Sequence, residues 1–179
     1  MTFFEVLDDA VKIGLGGFGG WLIAKANRSH EFERERRRRK LDCLEAVMER
    51  LDDAEGAMTE FCTASLTQKQ FKDKPANLTR HEHEILVASC MQDRTEDSKR
   101  ASAALYTLEH YRTKLIVFGF VECAEKLLSY CNEATSLKVA VNEMVDGKIT
   151  IDDYVSAREN LRKVADSLRA GLSAGFATL

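Results

Sequence analysis

The sequence predicts an all-α protein in which an apolar, glycine-rich N-terminal helix precedes an antiparallel four-helix bundle with long helices. Three observations predict this class. The chain of 179 residues has a single proline, and five of its ten glycines fall between Gly14 and Gly20. Ala, Leu, Glu, Lys and Arg, which favour helices, dominate from residue 30 onward. No run of alternating Val, Ile or Thr indicates a strand.

The first element is the uncharged stretch IGLGGFGGWLIA at residues 13–24. Twelve helical residues cover only about 18 Å of the roughly 30 Å of bilayer hydrocarbon. Extension to residues 11–26 gives about 24 Å, with Lys12 and Lys25 placed to reach the headgroups. We therefore expect residues 1–28 to form a membrane anchor or an interfacial helix, and residues 29–179 to form a cytoplasmic helical bundle.

The same stretch carries a pattern typical of helix association. Gly16, Gly20 and Ala24 recur every four residues, which permits close backbone approach to a second helix. Each glycine costs roughly 1 kcal/mol in a water-exposed helix, so a neighbour or lipid must offset that cost. The predicted membrane or oligomer interface consists of Leu15, Gly16, Phe18, Gly20, Trp21, Leu22 and Ala24.

Two other interpretations stay open for this segment. It can lie on the membrane surface with its acidic residues in water, or it can pack in the core of a soluble bundle. A cleaved signal peptide is disfavoured because the residues before the apolar stretch are net acidic. If the anchor is correct, the positive-inside tendency places the bundle on the cytoplasmic side of the inner membrane.

A basic run follows the anchor, and we expect it to contact anionic lipid headgroups. Glutamates at alternating positions before the run would repel nucleic-acid phosphates, and the formal net charge is only −3, so nucleic acid is not an expected partner. The run consists of Arg36, Arg37, Arg38, Arg39 and Lys40.

From Leu41 the apolar residues recur at three- and four-residue spacing, which predicts a helix from Ser29 to about Lys72. We expect its seam, formed by Leu41, Leu44, Met48 and Leu51, to serve helix association. A capping box predicts a second helix from Thr79, and the segment 79–118 can form one helix or two. Gly119 and Gly147 are expected to end helices, and a second capping box at Thr150 predicts the last helix. Four helices that each carry an apolar stripe and are joined by short loops indicate a helical bundle.

The phrase KLIVFG at residues 114–119, before an amphipathic helix, together with the apolar N-terminus and the basic helix, supports a resemblance. In this layout the chain resembles small uncharacterised bacterial proteins with one N-terminal membrane anchor and a cytoplasmic helical bundle. The resemblance implies location and fold, and it implies no activity.

Candidate chemical sites are weak. The sequence around Gly147 looks like a calcium loop, but Met144 stands where an oxygen ligand is required. His81 and His83 are two residues apart, so they point away from each other on a helix. GLGGFG lacks the strand context of a dinucleotide site. We therefore predict no enzyme, no cofactor, no metal and no small-molecule substrate. The five scattered cysteines are expected to be small buried hydrophobic residues in a reducing compartment.

Taken as a whole, the sequence predicts a non-enzymatic, membrane-associated bundle of bacterial or phage origin that acts by self-assembly or by binding a protein partner. One alternative is a membrane-perturbing effector, a holin-like or defence-related pore former. A further alternative is a soluble helical adaptor. The expected partners are membrane lipid and a second copy or another protein.

Overall fold

The computed structural model describes the backbone of residues 3–73 and 79–179, and the side chains of Arg28 and of residues 30–73 and 79–179. Within these ranges every regular element is an α-helix, which confirms the predicted all-α class and agrees with a helical bundle. The helices are α1 (Phe3–Asp73), α2 (Arg80–Glu109), α3 (Tyr111–Val117), α4 (Val121–Val145) and α5 (Ile151–Ala177).

The chain divides into two compact units, Met1–Leu41 and Asp42–Leu179. We call the second the bundle unit. The first unit contains the N-terminal part of α1. All of α2 to α5 belongs to the bundle unit, together with the C-terminal part of α1.

Residues 79–118 form two helices, which answers the question that the sequence left open. The helix α2 ends at Glu109 and α3 begins at Tyr111. At His110 the backbone keeps a right-handed conformation. Its ring Nδ1 lies 2.8 Å from the carbonyl oxygen of Tyr106.

Both predicted capping boxes are confirmed. The Thr79 amide donates to Glu82 Oε2 at 2.9 Å, and the Thr150 amide donates to Asp153 Oδ2 at 2.9 Å. Each threonine hydroxyl accepts from the amide of its acidic partner. Hydrogen bonds from the threonine side chain and backbone lower the pKa of Glu82 and of Asp153, because they stabilise the carboxylate form. These bonds satisfy amides that the first turn of a helix would otherwise leave unpaired.

Left-handed glycines end α3 and α4. Gly119 has φ of 88°, a conformation that a side chain disfavours. The amide of Phe120 donates to the carbonyl of Leu115 at 2.8 Å, and that of Gly119 donates to Ile116 at 2.9 Å. This pair of bonds is a Schellman motif, with half-buried Phe120 packed against the core as its apolar partner. Gly147, with φ of 75°, ends α4 with the same pattern.

Contacts between side chains fix the direction of neighbouring helices. Arg94 donates to Gln68, and Arg100 pairs with Glu60, so α2 runs antiparallel to α1. Gly175 lies against Leu44. Arg169, earlier in α5, pairs with residues later in α1, so α5 is also antiparallel to α1.

The core of the bundle unit collects the apolar stripes of its helices. The stripe predicted from Leu41 onward is buried, except that Leu41 and Met48 are half-buried. Ser65 is buried as well, and its hydroxyl donates to the carbonyl of Phe61 at 2.8 Å. The largest fully buried apolar side chains are Leu44, Leu51, Phe61, Leu108, Leu115, Leu127, Tyr130, Leu137, Met144, Leu168 and Leu172.

Candidate functional site

The basic run lies on α1 in the N-terminal unit. Every side chain from Glu31 to Arg39 is exposed, including Phe32, which is 71% exposed. Arg39 Nε lies 2.9 Å from Glu35 Oε1, one turn away. An exposed pair of this kind contributes little to stability. The guanidinium groups of Arg36, Arg37 and Arg38 are therefore accessible to an anionic surface.

The predicted glycine face lies outside the described side chains. The backbone of α1 is helical through this stretch. Nothing is described of the side chains of Leu15, Gly16, Phe18, Gly20, Trp21, Leu22 and Ala24. Among the residues that the structure describes, no helix combines the length and the apolarity that a membrane crossing requires.

Three residues of the predicted seam, Leu44, Met48 and Leu51, belong to the bundle unit, and Leu41 is the last residue of the N-terminal unit. Leu44 and Leu51 are fully buried in the core, where Leu44 lies against Gly175 of α5. Leu41 and Met48 are half-buried. Leu44 and Leu51 therefore pack within the chain itself, and a role of the seam in association with a partner stays a prediction.

A cleft of about 210 Å³ opens between α1, α4 and α5, and we call it the Tyr130 cleft. Three helices supply its walls: Glu55 and Met58 come from α1, Tyr130 from α4, and Leu161 and Arg169 from α5. Sequence reasoning did not identify this site. Tyr130 stands three residues after core Leu127, so helical spacing alone marks it as a buried tyrosine that needs a partner.

Arg169 connects α5 to α1 at the Tyr130 cleft. One of its terminal nitrogens lies 2.7 Å from Asp52 Oδ1 and 2.8 Å from Glu55 Oε2. Hydrogen bonds to Asp52 and then to Glu55 raise the pKa of the guanidinium. This double contact holds the Glu55 carboxylate in place, because one of its two oxygens is committed to the arginine.

Two polar atoms at the cleft have no hydrogen-bond partner among the described residues: Tyr130 Oη and Glu55 Oε1. Tyr130 is fully buried, and Glu55 Oε1 is buried although part of that side chain reaches solvent. Burial first, and then the nearby Glu55 charge, raise the pKa of the Tyr130 hydroxyl, which therefore stays protonated at neutral pH. A buried polar group without a partner costs about 1 to 3 kcal/mol, so this pair needs an explanation.

Four of the five cysteines are buried, as the sequence predicted, and one is not. Cys43, Cys62, Cys123 and Cys131 are buried, whereas Cys90 is half-exposed, and all five are free thiols. Burial raises the pKa of Cys131 to about 11, and burial also raises the pKa of Cys62. At neutral pH these buried thiols are protonated, and a protonated thiol is a weak nucleophile.

The residues of the calcium-loop and histidine candidates lie in or beside α2 and α4. Met144 is fully buried in the core, and Asn142 accepts a hydrogen bond from Arg94, so both serve packing between helices. His81 is exposed, while His83 is half-buried with Nε2 lying 3.0 Å from the carbonyl oxygen of Phe71. No cluster of three or more potential metal ligands occurs in the part of the chain that the structure describes.

In comparisons with known proteins, no family model, no curated protein and no solved structure matches the chain.

Proposed function

We propose that the protein is a non-enzymatic, membrane-associated helical bundle that acts by self-assembly or by binding a protein partner. The observation that carries the proposal is the exposure of every side chain from Glu31 to Arg39. This charged segment follows an uncharged, glycine-rich sequence on the same helix, α1. A cationic run beside an apolar segment matches the anionic inner leaflet.

In this proposal residues 1–28 are the apolar, glycine-rich anchor helix. The part of α1 from residue 29 onward makes an antiparallel bundle with α2, α4 and α5 on the cytoplasmic side of the inner membrane, and the short α3 connects α2 to α4. Membrane lipid is the first partner. A second copy of the chain, or another protein, is the second.

The lipid contact is tested by flotation of the purified full chain with vesicles of zwitterionic lipid, alone or with 30% anionic lipid. We expect the chain to prefer anionic vesicles. Replacing Arg36, Arg37 and Arg38 together with Gln should reduce that preference more than tenfold at low salt. The reason is that each basic residue near such a surface contributes about 1 kcal/mol, damped by screening.

The matched control removes the same charge elsewhere. Lys99, Arg162 and Lys163 are exposed residues of the bundle unit, and their joint replacement with Gln should leave the lipid preference within about twofold of wild type. Equal losses in the two triple variants would reject a specific role for the basic run. If the wild-type chain does not bind anionic vesicles better than zwitterionic ones, the proposed lipid contact is wrong.

Self-assembly is tested through the glycine spacing. Replacing Gly16 and Gly20 with Leu should lower the mass of the full chain in mild detergent from that of an oligomer to that of a monomer, because bulky side chains prevent close backbone approach. Light scattering measures the mass. Gly56→Leu is the control, since a Cβ at this exposed helical glycine meets no atom within 4 Å. An unchanged mass in the double variant contradicts the proposal.

A further inference from the structure

We propose that the Tyr130 cleft is a binding site for a small neutral molecule that joins one hydroxyl group to a compact apolar body, such as a phenol or a cyclic alcohol. The sequence predicted no small-molecule substrate. The proposal concerns a ligand that is bound without being transformed, and it is independent of the membrane role proposed above.

The polar end of the Tyr130 cleft selects a hydroxyl group. The buried Glu55 Oε1 is an acceptor without a donor, and the buried Tyr130 hydroxyl is without an acceptor. A ligand hydroxyl donates one hydrogen bond and accepts another, which matches the acceptor of Glu55 and the donor of Tyr130 that are left unpaired. An ammonium group only donates and leaves the Tyr130 proton unpaired, whereas a carboxylate only accepts and leaves Glu55 Oε1 unpaired.

The protonation state of Tyr130 supports this assignment. Burial raises the pKa of its hydroxyl, so the group remains a donor throughout the neutral range. The carboxylate of Glu55 is held through its other oxygen, which lies 2.8 Å from Arg169. Donor and acceptor are thus positioned before a ligand arrives, and this preorganisation favours binding.

The walls and the size of the cleft select the rest of the molecule. Apolar side chains line part of it from three helices: Met58 from α1, Leu137 from α4, and Leu161 and Ala165 from α5. The charged side chains of Arg158, Arg162 and Asp166 also border the cleft. The volume is about 210 Å³. An engineered apolar cavity of about 150 Å³ holds benzene, so a single six-membered ring with a hydroxyl group fits this cleft.

The test is a titration of the full chain with phenol and with toluene, which has the same ring and lacks the hydroxyl. Methyl NMR signals of Met58, Leu137 and Leu161 report occupancy at the cleft itself. We expect saturable shifts with phenol in the wild type. Tyr130→Phe should weaken phenol binding at least tenfold and leave toluene binding within about twofold, because only phenol uses the lost hydroxyl.

A control variant and a stability measurement test whether the effect of Tyr130→Phe is specific to the cleft. Tyr106→Phe removes the hydroxyl of a tyrosine that is 66% exposed, and it should leave phenol binding unchanged. Tyr130→Phe should also keep or raise the midpoint of thermal unfolding, since the hydroxyl it removes has no partner in the protein.

Three outcomes overturn the proposal. The first is the absence of saturable phenol shifts at millimolar concentration, which would mean that the two unpaired atoms do not form a ligand site. The second is toluene binding as tight as phenol binding in the wild type. The third is an unchanged phenol affinity in Tyr130→Phe.

Discussion

Replacing Leu51 with Ala is expected to lower the free energy of unfolding by about 2 to 5 kcal/mol, the range for fully buried leucines. Leu51 is 0% exposed and lies in the core of the bundle unit. The substitution removes apolar surface from the core and leaves a cavity that rigid helices fill only in part. Since a domain is stabilised by only about 5 to 15 kcal/mol in total, the loss is a large fraction of it. Denaturant unfolding of the full chain in mild detergent measures it.

The same experiment distinguishes a core leucine from an intermolecular seam. If Leu51 packs within its own chain, the unfolding midpoint of the bundle does not depend on protein concentration. An intermolecular seam would instead make the midpoint rise with concentration. Val139→Ala is the control, because Val139 is 52% exposed and its truncation should cost within about 0.5 kcal/mol. A loss below about 1 kcal/mol at Leu51, or a strong concentration dependence, would contradict intramolecular packing.

Local features of the fold were predictable because their causes are local. A capping box is a pair of residues three apart, and Thr79 with Glu82 can be recognised without knowledge of any other part of the chain. The left-handed end of α3 depends on one glycine, Gly119, followed by an apolar residue. The apolar stripe of α1 follows from helical periodicity alone. These features lie within single helices or their ends.

The partner of an apolar stripe was not predictable, since periodicity says which face is buried and not what buries it. Leu44 and Leu51 suit a seam between chains and a core within one chain equally well by sequence. The structure shows the core. The break at His110 also escaped a definite prediction. The chain there carries no proline or glycine, and the residue keeps a right-handed backbone.

The Tyr130 cleft was missed for a related reason. Glu55, Tyr130 and Arg169 come from three helices far apart in sequence, and only the relative register of those helices brings them together. Tyr130 itself could have been marked as buried from its spacing to Leu127. That its hydroxyl has no hydrogen-bond partner can be known only from the structure, because the answer depends on which residues of α1 and α5 pack around it.

Replacing Arg169 with Met is expected to lower the free energy of unfolding by about 1 to 2 kcal/mol. The variant removes the bonds of 2.7 Å to Asp52 and 2.8 Å to Glu55. It leaves both oxygens of the Glu55 carboxylate without a protein partner, one of them buried. The expected loss is below the 3 to 5 kcal/mol of a fully buried pair, because about a third of both side chains reaches solvent.

Arg162→Met is the matched control on the same helix. Arg162 is 84% exposed, and its Nε lies 4.0 Å from Asp166 Oδ2, so this substitution should cost no more than about 0.5 kcal/mol. Arg169→Lys should recover only part of the loss, because the lysine side chain is shorter and does not place its nitrogen where one guanidinium nitrogen contacts both Asp52 and Glu55. If Arg162→Met and Arg169→Met cost the same, the Arg169 contacts are ordinary surface pairs. In that case Glu55 is not held in place, and the acceptor side of the Tyr130 cleft loses its preorganisation.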